Sequence, residues 1–272
     1  MAVTSQYPVI SLDEFKTLVR PLVFDCRFNL ANADEGYAAY RQGHIPGAYY
    51  LHLEKDLSGS LSRHGGRHPL PDPQTLARRL RSSGLLPGQP VVVYDDQQMA
   101  YAARARWLLR YLGHQEVWVL DGGYKAWLAS GGVPDRREPP PRMGRFEPNP
   151  TSDWTCEYQE VKTLTGSGCL IDSRAPSRYA GLEEPLDPIA GHIPGAMNYF
   201  WQEVVDEQGF FRPVSWHREH WSKLTGTNIV VYCGSGVTAC VNLMSLEAAG
   251  INARLYSGSW SDWCSYQLAE AD

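Results

Sequence analysis

Short apolar runs rich in β-branched residues alternate along this chain with longer stretches of helical period. Strands are predicted near 22–26, 91–94 and 117–120, with helices near 74–83 and 98–112 between them. Farther on, the run Ile229-Val230-Val231-Tyr232 precedes a helix-like stretch from Ala239 to Ala249, which Gly250 can end as a left-handed cap. Alternation of this kind implies an α/β fold in which a central, mainly parallel sheet is flanked by helices. In such sheets ligands bind beyond the carboxyl ends of the strands, so the residues after Tyr232 are the first place to look for chemistry.

The pattern occurs twice. Gly43-His44-Ile45-Pro46-Gly47-Ala48 recurs letter for letter as Gly191-His192-Ile193-Pro194-Gly195-Ala196, and an Asp-x-Arg precedes each copy, as Asp25-Cys26-Arg27 and Asp172-Ser173-Arg174. Val91-Val92-Val93-Tyr94-Asp95 matches Ile229-Val230-Val231-Tyr232-Cys233, and Leu120-Asp121-Gly122-Gly123 leading to Trp127 parallels Tyr256-Ser257-Gly258-Ser259 leading to Trp263. Solenoid units run about 20–50 residues, so a repeat this long marks duplicated globular domains. The 272 residues divide into a first domain at 1–138, a linker at 139–152 and a second domain at 153–272. Each is long enough to bury its own core. The Pro- and Arg-rich stretch from Pro134 to Pro150 has no apolar period and reads as connecting chain.

Composition narrows the function classes. A net charge of −5 gives no electrostatic case for nucleic acid, and the clusters Arg78-Arg79-Leu80-Arg81 and Arg136-Arg137 read as solvated surface. The segment Met1 to Tyr7 lacks a basic stretch followed by an apolar core, and no run approaches the ~20 apolar residues of a membrane span, so a soluble, cytoplasmic protein is expected. Six cysteines at 26, 156, 169, 233, 240 and 264 form no Cys-x-x-Cys pair, which makes free thiols the default. The pairs His64/His68 and His217/His220 have ligand-like spacing without an accompanying cysteine or carboxylate pattern, so neither a metal nor another cofactor is expected.

The loop Cys233-Gly234-Ser235-Gly236-Val237-Thr238 carries the strongest chemical signal. It places a cysteine at a strand-to-helix turn, where successive N–H groups and the positive end of the next helix cradle negative charge. A thiolate is the form such a site stabilises, so Cys233 is the candidate nucleophile. Gly234, Gly236, Val237 and Thr238 supply the amides for a bound anion. A thiolate there can attack the sulfur of a donor, hold it as a persulfide and pass it to an acceptor in a second half-reaction.

The duplicated Asp-x-Arg, the duplicated Gly-His-Ile-Pro-Gly-Ala and the strand-Cys-loop-helix unit together resemble a tandem-domain rhodanese of the sulfurtransferase superfamily, over nearly the whole chain. The loop Cys-Gly-Ser-Gly-Val-Thr is similar to that of the 3-mercaptopyruvate sulfurtransferases, whereas animal-type thiosulfate sulfurtransferases carry basic residues after the cysteine. The resemblance implies two tandem rhodanese-like domains, with a catalytic second domain and a first domain that kept the fold but lost the nucleophile, since Asp95 stands at that position. It implies that Arg178 binds the donor's anionic group. It also implies a relay in which Ser235, His68 and Glu54 pass a proton to the departing pyruvate enolate. Arg174, repeated as Arg27 in the half without the nucleophile, is better read as the partner of Asp172 in a structural ion pair.

One position departs from the resemblance. The family's second substrate arginine falls at Asp187, which would repel a carboxylate, so either the segment is displaced, or a basic residue from the first half such as Arg63 or Arg67 substitutes, or the donor is not mercaptopyruvate. On this reading Asp187→Arg should lower the KM for mercaptopyruvate. Transfer of sulfane sulfur from 3-mercaptopyruvate to a thiol, cyanide or a thioredoxin-like or other protein acceptor is therefore the expected function. Thiosulfate as donor and a persulfide carrier without turnover are the alternatives. A dual-specificity phosphatase would need an arginine six positions after the cysteine, where Ala239 stands.

Overall fold

The computed structural model describes residues 7–166, 169–224 and 226–271. They form two compact units, one built from the chain up to Ser58, Pro71–Thr151 and Val205–Phe211, the other from Gly59–Leu70, Ser152–Val204 and Arg212–Asp272. The second unit thus contains a twelve-residue segment, Gly59–Leu70, that chain order alone would assign to the first half.

In the first unit the elements run β1 (Val9–Ile10), α1 (Leu12–Thr17), β2 (Leu22–Asp25), α2 (Glu35–Gln42), β3 (Tyr49–Tyr50), α3 (Pro73–Ser82), β4 (Val91–Tyr94), α4 (Ala102–Tyr111), β5 (Val117–Leu120) and α5 (Gly123–Ala129). The strands pair in parallel in the order β1-β5-β4-β2-β3. The second unit carries α6 (Tyr158–Thr163), β6 (Leu170–Asp172), α7 (Pro176–Tyr179), β7 (Met197–Asn198), α8 (Val214–His220), β8 (Ile229–Tyr232), α9 (Ala239–Ala248), β9 (Ala253–Leu255) and α10 (Ser259–Ala271). Its parallel order is β7-β6-β8-β9. Both central strands, β4 and β8, are buried at every position, which is why they read as unbroken apolar runs rather than alternating ones.

The repeated sequence blocks are explained by one bracing network formed twice. At the end of β2, Asp25 takes Arg27 Nη2 at 2.6 Å, and Arg27 Nη2 also reaches the carbonyl of Gly43 at 2.7 Å. Tyr94 donates to Asp25 Oδ2 at 2.8 Å and accepts the N–H of Ile45 at 3.1 Å. In the other unit Arg174 Nη2 meets Asp172 Oδ2 and the Gly191 carbonyl, both at 2.6 Å, and Tyr232 accepts the N–H of Ile193 at 3.1 Å. The Asp172–Arg174 pair is thus the structural ion pair its duplication suggested. Both ion pairs are buried, and removing one partner of such a pair leaves an uncompensated charge that costs about 3–5 kcal/mol. The network fixes the strand ends from which Asp95 and Cys233 emerge.

Three local expectations change. The helix expected from 98 begins at Ala102, because Gln98 and Met99 adopt left-handed φ values of 57° and 70°. The stretch read as connecting chain is bound to the first unit, where Arg145 donates to Leu85 O at 2.9 Å and the ring of Phe146 is buried against His114. Arg79, read as solvated, donates to Asp56 Oδ1 at 3.2 Å and to the carbonyl of Tyr50.

Candidate active site

Cys233 follows β8 directly, at the carboxyl end of the sheet, and is 2 % exposed. The first turn of α10 anchors the base of its loop. Cys233 N–H donates to Ser259 Oγ at 3.1 Å, the Cys233 carbonyl accepts the N–H of Trp260 at 3.0 Å, and the Gly234 carbonyl accepts that of Ser261 at 2.9 Å. Gly236 has φ +75°, and a Cβ there would lie 2.2 Å from the carbonyl of Ser257, so this turn admits only glycine. Among the described residues the N–H groups of Ser235, Val237 and Thr238 donate to no protein acceptor.

The corresponding loop of the first unit is filled by its own side chain. Asp95 accepts four backbone N–H groups, from Gln97 and Met99 on Oδ1 and from Tyr101 and Ala102 on Oδ2, at 2.9–3.0 Å. Burial pushes the Asp95 carboxyl above the usual carboxylate range, while three of these amides, from Ala102, Gln97 and Tyr101, pull it back. Where the second unit presents a thiol in an open cradle of amides, the first presents a carboxylate that already occupies one.

Within the second unit His68 is brought to the loop. Its Nδ1 lies 2.7 Å from Ser235 Oγ, and both side chains are buried. The segment carrying His68 is clipped to α10: Gly65 N–H donates to Asp262 Oδ1 at 2.6 Å and Arg67 N–H to Ser261 Oγ at 3.0 Å. The His64 ring stacks on Tyr266 with centroids 3.9 Å apart. Glu54, the third member of the expected relay, belongs to the first unit, where its N–H donates to His52 Nδ1 at 3.1 Å.

Arginine crowds the other side of the loop. A Cβ on Gly234 would stand 3.0 Å from Arg67 Nη2 and 3.5 Å from both terminal nitrogens of Arg178, so glycine at 234 lets two guanidiniums approach the backbone beside Cys233. Asp187 pairs with both: Arg67 Nη1 meets Oδ1, and Arg178 Nη2 meets Oδ2 at 3.2 Å. Glu184 accepts from Arg178 Nη2 at 2.6 Å and from Arg174 Nη1 at 3.1 Å. Burial pushes the Asp187 carboxyl upward, against the pull of Arg67 and Arg178. At Glu184 burial raises, yet Arg178 and the N–H groups of Leu186 and Asp187 prevail and hold the carboxyl low. Glu184 is the residue the sequence reading missed. Its only signal was an acidic residue between Arg178 and Asp187.

His217 and His220 are committed elsewhere. His217 Nδ1 lies 2.7 Å from Ser245 Oγ, and the His220 ring stacks on Trp216 with centroids 4.3 Å apart. Among the described residues no group of three or more His, Cys, Asp or Glu side chains is placed to hold a metal ion, and no helix is long and apolar enough to cross a membrane. All six cysteines are free thiols.

The family model described as a rhodanese-like domain matches this chain twice, over residues 11–130 and 157–266. The chain belongs to the rhodanese family. Across 252 residues it is 44 % identical to a probable 3-mercaptopyruvate sulfurtransferase of Pseudomonas aeruginosa, covering 89 % of this chain and 88 % of that protein. It is 39 % identical to a putative thiosulfate sulfurtransferase of Mycobacterium tuberculosis, with 89 % and 87 % covered. Among solved structures, SseA of Escherichia coli, described as a 3-mercaptopyruvate sulfotransferase, superposes with a TM-score of 0.81 at 29 % identity, covering 94 % of this chain and 99 % of that one. The 3-mercaptopyruvate sulfurtransferase of Leishmania major gives 0.87 at 26 % identity, with 98 % and 76 % covered. This rhodanese is a sulfurtransferase enzyme working through persulfide chemistry, and its relatives divide over the donor.

Proposed function

We propose that this rhodanese is a 3-mercaptopyruvate sulfurtransferase with Cys233 as its nucleophile. The Cys233 thiolate attacks the donor's sulfur, the carbon–sulfur bond breaks with its electron pair going to carbon, and the enzyme keeps a persulfide while pyruvate leaves as its enolate. Ser235 donates its hydroxyl proton to that enolate and recovers one from His68, for which Glu54 is the proposed orienting carboxylate. Amides of the loop from Gly234 to Thr238 stabilise charge on the bound sulfur. Arg178 and Arg67 bind the donor's carboxylate, so Arg67 supplies the second guanidinium that position 187 lacks. A thiol, cyanide or a thioredoxin-like protein then removes the outer sulfur.

The observation that carries the choice of donor is the 2.7 Å contact between His68 Nδ1 and Ser235 Oγ beside Cys233. An enolate needs a proton on leaving. Sulfite, the product of thiosulfate, needs none. Steady-state rates with the two donors test the reading: kcat/KM for mercaptopyruvate should exceed that for thiosulfate by at least about tenfold, roughly 1.4 kcal/mol in transition-state binding. A preference for thiosulfate would remove mercaptopyruvate as the donor, and persulfide formation without turnover would favour the carrier alternative.

A further inference from the structure

Three guanidiniums and three carboxylates alternate through the second unit toward the Cys233 loop. Arg174 lies between Asp172 and Glu184, Arg178 between Glu184 and Asp187, and Arg67 closes the row on Asp187. The row sums to zero charge although two of its guanidiniums stand against Gly234. Asp187 is the only carboxylate in it that touches both of those guanidiniums, and its side chain is 2 % exposed. Solvent therefore screens its charge poorly. Glu184 Oε1 accepts the N–H groups of Leu186 and Asp187, each at 3.1 Å, which fixes the turn that presents the Asp187 side chain.

We propose that Asp187 determines donor specificity by charge, cancelling one guanidinium beside Cys233 so that a monoanionic carboxylate donor is favoured over a compact dianion such as thiosulfate. This rests on the reading of the Cys233 loop as the sulfur-transfer site. An incoming anion meets the potential of the whole row. Removing one negative charge from it helps a dianion by twice as much as a monoanion. Asp187 acts through Arg67 and Arg178 and is a positioning residue, since it contacts the guanidiniums rather than the reacting sulfur.

The test compares Asp187→Asn, Asp187→Glu and wild type, with kcat/KM measured for mercaptopyruvate and for thiosulfate. Asp187→Asn should shift the ratio toward thiosulfate by about tenfold or more, and Asp187→Glu, which keeps the charge, should hold the wild-type ratio. A merely structural role would lower both donors together and leave the ratio unmoved, which overturns the proposal. Binding of thiosulfate and of pyruvate by calorimetry, with Cys233→Ser added to each protein so that no sulfur is transferred, reads the same preference without turnover. Should Asp187→Asn fail to fold, Arg67→Gln probes the charge from the other side and should weaken thiosulfate more than pyruvate; equal weakening overturns the proposal. The mass of the Cys233 peptide after each donor separates the two readings. An unmodified Cys233 in wild type overturns the site itself, whereas a modified Cys233 with an unmoved ratio overturns the role of Asp187 alone.

Discussion

A hydroxyl held 2.7 Å from an imidazole nitrogen serves a reaction only if that reaction moves a proton, and this gives His68 a donor-specific signature. His68→Ala should slow mercaptopyruvate turnover by about 10²–10⁴ and slow thiosulfate turnover far less, read as kcat for the two donors side by side. Equal activity of the variant and wild type would remove His68, and with it the relay, from the chemistry. The pairing of Asp187 reverses what its sequence position suggested. Its carboxylate is already held by Arg67 and Arg178. Asp187→Arg would set a third guanidinium against these two, and we now expect it to raise the KM for mercaptopyruvate and lower the melting temperature. A lower KM in steady-state kinetics would restore the simpler view.

At the scale of elements the two strand-to-helix loops are the informative pair. Asp95 accepts four amides, and an asparagine there can accept on one oxygen only. Asp95→Asn should therefore destabilise the protein by about 1–3 kcal/mol in denaturant unfolding while leaving turnover within a few-fold of wild type. A loss of activity as large as that expected for His68→Ala would give the Asp95 loop itself a part in the chemistry. The same loops show what sequence pattern reveals. The strands at 22–25, 91–94 and 117–120 were legible because a strand buried on both faces is an apolar run, and Cys233 was legible because it ends one. The start of α4 was not, because the Asp95 carboxylate organises the loop and no periodicity records that. The contact of Arg67 with Asp187 joins positions 120 residues apart, and local pattern carries no such information. The Pro- and Arg-rich stretch misled for a related reason, since what attaches it to the first unit is the buried Phe146 ring and a set of backbone hydrogen bonds to Arg81, Ser82, Leu85 and Leu112, none of which leaves an apolar period.

On the scale of the whole molecule, acid acts on the second unit through two imidazoles, His217 buried and His220 half-buried. Burial lowers both His217 and His220 to about 4, with the Arg212 charge adding to the effect at each. The unfolded chain takes up these protons near pH 6.5 and the folded unit only near 4, so the contribution of this pair to stability falls as pH drops through that window. Glu157 and Asp187, raised by burial in the same unit, carry the opposite sign. The pair is therefore isolated by difference: His217→Gln/His220→Gln should unfold with a smaller loss of stability between pH 7 and pH 5 than wild type, and an unchanged slope would refute the assignment.

The central claim is that sulfur taken from mercaptopyruvate rests on Cys233. Mass spectrometry of the protein after a single exposure to this donor, before any acceptor is added, tests it most directly. The peptide containing Cys233 should gain one sulfur, about 32 Da, and the gain should vanish in Cys233→Ser, which cannot store the sulfur as a persulfide. Appearance of the added sulfur on the peptide of Cys26 or Cys264, or its persistence in Cys233→Ser, would contradict the account.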